Sequence, residues 1–216
     1  MAVVATCGAA NASRAAEVEV PLNIGIGPAA YLMTGPVYKD QPVHAGLKLS
    51  IAAVVDQATL RQARDRIPAR YRSTAARVGE ARVGLIYLPE SLIISPKVRN
   101  TGMYGATWRP LAAGFSLLRR PRLSVSAGVL LTYLYMHSET LAAPMHFVRP
   151  GLNARVELEV PVSKAFLLGF GWDSQFYVPQ RVGGTPLEVD RPRRSVWHLG
   201  QGFILLNFRV PHTTQM

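Results

Sequence analysis

Residues 147–162, FVRPGLNARVELEVPV, decide how the chain must fold. Val148, Leu152, Ala154, Val156, Leu158, Val160 and Val162 fall on one parity, and Arg149, Gly151, Asn153, Arg155, Glu157 and Glu159 on the other. Successive side chains of a strand point to opposite faces, so this is one long two-faced strand. Its polar face mixes Gly and Asn with charges of both signs and contains none of the Lys that usually coats a solvated sheet face. Such a face suits a packed polar interior. The Val, Leu and Ala face must then look outward, and the solvent that accepts it on every strand is lipid.

Composition bounds the same solution from outside. A chain of 216 residues is one domain's worth, and with 49% hydrophobic and 17% charged residues it is too apolar for disorder. No segment approaches the roughly 18 uninterrupted apolar residues of a spanning helix. A membrane chain without one has to span as a closed barrel, because backbone polar groups in lipid must be paired internally. The net charge of +11 comes mostly from arginine, since Lys occurs only at 39, 48, 97 and 164. A basic balance raises the question of nucleic acid. These arginines gather at segment ends without a recognition helix or an aromatic stacking motif, so no nucleic-acid partner is expected, and lipid phosphates are the better match.

Cys7 is the single cysteine, which excludes an internal disulfide. Around it MAVVATCGAANAS, with Ala10-Asn11-Ala12 ahead of Ser13, reads as the tail of a secretory signal lacking its positive start. The expected organisation is a leader at 1–16, a barrel at 17–211 and a tail at 212–216.

The alternation recurs along the chain. Glu17 to Tyr31 sets Val18, Val20, Leu22, Ile24 and Ile26 against Glu17, Glu19, Asn23, Gly25 and Gly27. Val43 to Val55 sets Ala45, Leu47, Leu49, Ile51 and Ala53 against His44, Gly46, Lys48, Ser50 and Ala52. Residues 56–80 break the pattern: Ala58 to Arg66 has helical composition, Pro68 interrupts it, and the arginines at 61, 64, 66, 70, 72 and 77 make a short basic helical insert outside the barrel. A strand lies within Ala81 to Lys97, disturbed at Pro89-Glu90. Tyr104 to Leu118 sets Leu111, Ala113, Phe115 and Leu117 against Trp108, Pro110, Ala112, Gly114 and Ser116, and a tight turn at 119–122 leads into Leu123 to Tyr135. Phe166 to Val178 and Ser195 to Val210 complete the wall, the last with mixed parity around Gly200 and Gly202. The fold expected is all-β, an antiparallel up-and-down transmembrane barrel of about eight strands, with the insert between strands 2 and 3.

Glu17, Glu19, Lys48, Arg149, Arg155, Glu157, Glu159 and Asp173 project from the polar faces and are expected to meet inside as an ion-paired network, since charges in a low-dielectric interior must be paired. Eight strands leave room for little but side chains, so the interior is expected to be filled, with a narrow path for small solutes as the alternative. Tyr31, Tyr104, Tyr133, Tyr135, Phe147, Tyr177 and Trp197 fall near one rim and are expected to form an aromatic girdle. Arg181, Arg191, Arg193 and Arg194 lie in a loop beside that girdle, and their forked geometry suits the phosphates of lipopolysaccharide.

On these patterns the chain resembles the eight-stranded bacterial outer-membrane barrels, the class of the transmembrane domain of outer membrane protein A, over about Glu17 to Val210. That resemblance implies the outer membrane of a Gram-negative bacterium. His198, Gly200, Phe203 and Leu205 are similar in spacing to the last-strand signal read by the barrel assembly machinery, which it implies as a partner during biogenesis. The role expected is structural, in envelope integrity, with an envelope partner for the insert.

His137-Ser138-Glu139 is the compact His, Ser and acid group, and it resembles the site of lipid A deacylase barrels. Neighbours on one strand point to opposite faces and cannot form a relay, and that family's His-x-Ser-Asn arrangement is absent, so no catalysis is expected. The histidines at 44, 137, 146, 198 and 212 are scattered, no metal-ligand spacing occurs and no glycine loop cradles phosphate, so neither metal nor cofactor is expected. The alternative from another class is a soluble lipocalin-like barrel with its apolar parity inside. It requires an exterior rich in Lys, Glu and Asp, where this chain has Gly, Ser, Ala and Asn.

Overall fold

The computed structural model describes residues 17–34, 43–64, 67–77, 79–84, 89–98, 101–119, 121–137, 144–163, 165–177, 181–182, 185–186, 197–211 and 213–215. The deciding stretch lies in one strand, Met145–Pro161, and its two parities separate cleanly: Val148, Leu152 and Val156 are exposed, while Arg149, Asn153, Arg155, Glu157 and Glu159 are buried. In chain order the elements are β1 (Glu17–Glu19), β2 (Leu22–Thr34), β3 (Val43–Asp56), α1 (Gln57–Gln62), α2 (Ala69–Arg77), β4 (Glu80–Gly84), β5 (Ser91–Val98), β6 (Thr101–Arg119), β7 (Arg122–His137), β8 (Met145–Pro161), β9 (Phe166–Tyr177), β10 (Arg181–Val182), β11 (Thr185–Pro186), β12 (Trp197–Val210) and β13 (Thr213–Gln215).

Every ladder is antiparallel, and the ladders close a ring. β8 pairs β7 and β9, β12 pairs β9 and β2, β2 pairs β3, and β3 pairs β4. β4 then pairs β6, which pairs β7. The ring has eight wall positions, and closure removes the free edges that lipid would not tolerate. One position is split: β4 takes the stretch of β6 from Leu111 to Gly114, and β5 takes the stretch from Thr101 to Thr107. Pro89, which cannot donate to a ladder, lies between the two halves.

Side-chain direction follows the pleat except where the register slips. Between Trp108/Leu131 and Leu111/Val129, β6 advances three residues against two on β7. Such a bulge reverses parity. Thus Thr107 is buried above it, Arg109 within it and Ala112 below it, whereas Trp108 was expected on the inner face and is not among the buried residues. β12 keeps a single parity, with Leu199, Gln201, Phe203, Leu205 and Asn207 all buried and Ile204 and Leu206 exposed; the mixture around Gly200 and Gly202 is sequence composition, not a change of face.

Two further boundaries differ from expectation. The first wall strand begins at Leu22; Glu17–Glu19 pairs instead with Thr213–Gln215 in a separate two-stranded sheet, so the tail is structured. The insert holds two helices. Asp56 caps α1, its Oδ1 accepting from the Thr59 N–H at 2.9 Å and from Thr59 Oγ1 at 3.1 Å. Ala63, just after α1, is buried with Val20 against Ala53 and Val55. Ala53 pairs with Val83, an exposed residue of the outer face, so this contact lies on the outer wall of the barrel. The tight turns at 119–122 and 162–166 share this end with the insert.

Candidate functional site

The inner parities of eight strands converge on a column of charge. At the end with the tight turns, Arg122 pairs with Glu80 and, at 3.4 Å, with Glu159. Arg82 reaches Glu80 at 2.7 Å and Glu157 at 2.9 Å. Above them Arg109 grips Glu90 with a two-pronged contact, Nε to Oε2 at 2.6 Å and Nη2 to Oε1 at 2.9 Å, while Arg155 Nη2 donates to the same carboxylate at 2.7 Å. Arg155 Nη2 also lies 3.1 Å from Asp173, whose other oxygen accepts from Asn153 at 2.9 Å. Lys48 Nζ donates to Gln201 Oε1 at 2.7 Å and lies 3.6 Å from Asp173. The ion pairs thus form one connected network over β3, β4, β6, β7, β8 and β9 together with Glu90, which stands just before β5, and a hydrogen bond to Gln201 ties in β12. Unpaired, such charges would cost several kcal/mol each; the guanidinium forks and shared carboxylates are what make their burial tolerable.

Apolar and hydroxyl groups fill the remaining interior. The Phe203 ring has Lys48 Nζ 4.9 Å and Arg155 5.5 Å from its centroid, so cations lie against its face. A side chain at Gly171 would collide with that ring, which is why the wall is glycine there. Further up, Tyr177 Oη donates to Gln175 at 2.5 Å and sits 2.8 Å from Thr132 Oγ1. Tyr31 Oη lies 2.6 Å from the carbonyl oxygen of Leu47 and 2.8 Å from that of Leu92, linking β3 and β5 from within. A Cβ on Gly46 would meet both the Tyr31 ring and the Ile94 carbonyl at 2.5 Å, so the tyrosine needs glycine at this point. At the tight-turn end the column opens into a recess of about 540 Å³ lined by Asp56, Arg61, Glu80, Arg122, Glu159 and Arg209.

Of the residues expected inside, Lys48, Arg149, Arg155, Glu157, Glu159 and Asp173 are all buried, and Lys48, Arg155, Glu157, Glu159 and Asp173 join the ion pairs of the column. Glu17 and Glu19 belong to β1, outside the wall. Glu80, Arg82, Glu90, Arg109 and Arg122 were missed. The first three flank the broken strand, Arg109 sits at the bulge, and Arg122 reads as a turn residue, so alternation could not find them.

Tyr31 and Tyr177 are corrections: they are 1% and 0% exposed and face inward, because their positions share parity with Asn23 and Asp173. Tyr104, Tyr133 and Tyr135 stand on the outer face near the rim opposite the tight turns, the rings of Tyr104 and Tyr135 6.5 Å apart. The side chains of Phe147 and Trp197 lie outside the described residues, as do Arg191, Arg193, Arg194, Ser138 and Glu139. Arg181 falls in the β10–β11 pairing, its side chain likewise outside the description, and His137 ends β7.

The outer surface completes the picture. Ile26, Leu47, Leu111, Phe115, Val129, Leu152, Ile204 and Leu206 are all exposed, a coat of large apolar side chains around the ring. Water would not sustain an apolar surface of that extent on a soluble monomer. Among the described residues no helix is long and apolar enough to cross a membrane; the strands face the lipid.

No family model matches the chain, and no curated protein matches it in sequence. In shape it is similar to Neisserial surface protein A, at 10% identity and a TM-score of 0.48 over 88% of this chain and 97% of the other. It is similar to the attachment invasion locus protein Ail of Yersinia pestis, at 10% identity and a TM-score of 0.44 over 88% and 99%. It is also similar to the outer membrane protein OprG of Pseudomonas aeruginosa, at 8% identity and a TM-score of 0.40 over 91% and 98%. A closed antiparallel ring, an apolar coat and a charged, side-chain-filled interior are the marks of a barrel that spans lipid, and by its own geometry this chain is an eight-stranded β-barrel of the outer-membrane type of fold.

Proposed function

We propose that this barrel serves the integrity of the outer membrane as a sealed structural element, without catalytic activity. The observation that carries the proposal is the shared grip of Arg109 and Arg155 on Glu90, continued through Asp173 to Lys48, which sets side chains of opposite walls across the lumen at 2.6–3.6 Å. Ions crossing would have to displace these paired groups from one another. The segment carrying Arg181, Arg191, Arg193 and Arg194 contacts lipopolysaccharide phosphates, and the barrel assembly machinery reads β12, whose His198, Gly200, Phe203 and Leu205 have the spacing of its signal.

Reconstitution into planar bilayers tests the seal. The wild-type chain is expected to give no unitary conductance, and a strain lacking it is expected to become permeable to bulky hydrophobic antibiotics. Stable conductance steps from the wild type would overturn the sealed reading in favour of a narrow pore.

A further inference from the structure

The helical insert packs against the wall at the foot of the ion-pair column. Ala63 presses on Ala53 and Val55 of the outer wall, so α1 is anchored on the outside of the barrel, while Arg61 stands between the recess at the foot of the column and the α1–α2 cleft and lines both. That contact places the insert where the apolar coat ends on the tight-turn side, the level of lipid headgroups. Between α1 and α2 runs a cleft of about 480 Å³, with Leu60, Ile67 and Ala75 among its apolar lining and Arg61, Arg64 and Arg72 among its basic lining. Arg72 Nε is braced by the Ile67 carbonyl at 2.9 Å. α2 buries none of its own residues, so packing alone does not hold it in place. Tyr71 is exposed with the Arg70 guanidinium 4.7 Å from its ring, the side-chain types that collect at a membrane interface.

We propose that the α1–α2 cleft binds the headgroup of an anionic phospholipid from the leaflet on the tight-turn side, its arginines taking the phosphate and its apolar lining the glycerol and first acyl carbons. An arginine fork matches phosphate oxygens in pairs, and an insert anchored on the wall keeps that fork at headgroup height. Each basic residue near an anionic surface contributes about a fivefold gain in lipid occupancy.

The full chain is reconstituted in bilayers of phosphatidylcholine with a minor fraction of phosphatidylglycerol, extracted in mild detergent, and its retained lipid counted by native mass spectrometry. Wild type is expected to retain phosphatidylglycerol in preference to phosphatidylcholine. Arg61→Gln and Arg64→Gln, both at exposed positions, should each lower that retention about fivefold. The corresponding Lys substitutions should fall between, since charge remains and the fork is lost. Folding is checked by heat-modifiable migration on gels, and the single variants stand in for a double variant that does not fold. Equal retention by wild type and both Gln variants overturns the proposal. So does preference for lipopolysaccharide over phosphatidylglycerol, or displacement by inorganic phosphate alone.

Discussion

Replacing Glu90 by Gln keeps the shape of the residue that ties the column together and removes its charge. Glu90 holds Arg109 at 2.6 and 2.9 Å and Arg155 at 2.7 Å, and both guanidiniums are 2% exposed. At an effective dielectric near 20, two cations about 4 Å away contribute roughly 8 kcal/mol of attraction in total. The variant no longer desolvates a carboxylate, which returns several kcal/mol, so the expected net loss is about 3–5 kcal/mol. With a urea slope of about 1–3 kcal/mol per molar, the midpoint should fall by more than about 1 M. The assay is urea titration in lipid vesicles, followed by tryptophan fluorescence and by migration of unheated samples. Arg109→Met in the Glu90→Gln background should recover part of the loss, because it removes the cation left without its partner, and a double-mutant cycle reads the coupling directly. A Glu90→Gln midpoint equal to wild type would show that the carboxylate is hydrated and the lumen open to water, refuting the sealed interior.

Three further outcomes follow from other parts of the molecule. Glu157→Ala removes the carboxylate facing Arg82 at 2.9 Å and Arg155 at 3.9 Å, and should cost about 3–5 kcal/mol in the same titration; an unchanged midpoint would reverse the assignment of faces. Tyr31→Phe removes the hydroxyl between the Leu47 and Leu92 carbonyls and should cost about 1 kcal/mol, with faster amide exchange confined to β3 and β5; uniform acceleration around the ring would deny it that local role. Charge reversal at Arg191, Arg193 and Arg194 should reduce co-purified lipopolysaccharide while reversal at Arg119 and Arg120 does not, equal losses pointing to unspecific electrostatics.

Alternation was enough to read the wall wherever one strand runs unbroken, as at Arg149, Asn153, Arg155, Glu157 and Glu159, because a barrel with lipid outside and charge inside exaggerates the two-residue period. It failed at the places where period two is locally suspended. Arg109 changes face across a bulge, Glu90 stands before β5 after Pro89, and Arg122 begins its strand next to a turn. Tyr31 and Tyr177 failed for a different reason: aromatic residues near a rim suggest a lipid girdle, yet parity alone decides the face, and theirs is the inner one. Had parity been carried through to the strand ends, both tyrosines would have been placed inside.

Charge balance ties the interior to the surface. Among the described residues the buried charged ones comprise five cations, Lys48, Arg82, Arg109, Arg149 and Arg155, and five anions, Glu80, Glu90, Glu157, Glu159 and Asp173. They cancel, as burial in a low dielectric requires, so the whole net charge of +11 falls on residues outside that buried set. Of thirteen acids, eight remain outside it against nineteen of the twenty-four bases. The described strand surfaces facing lipid are apolar, and described bases outside the set, such as Arg61, Arg64, Arg72, Arg122 and Arg209, sit in the helical insert and near strand ends. Around a lipid-spanning ring those segments lie at or beyond the two headgroup layers, where phosphates are the abundant anions. The preponderance of arginine has the same explanation at both places. Inside, its fork satisfies two carboxylate oxygens at once, as at Glu90, and the same fork geometry suits the phosphates that the proposed lipid contacts at the rims would offer.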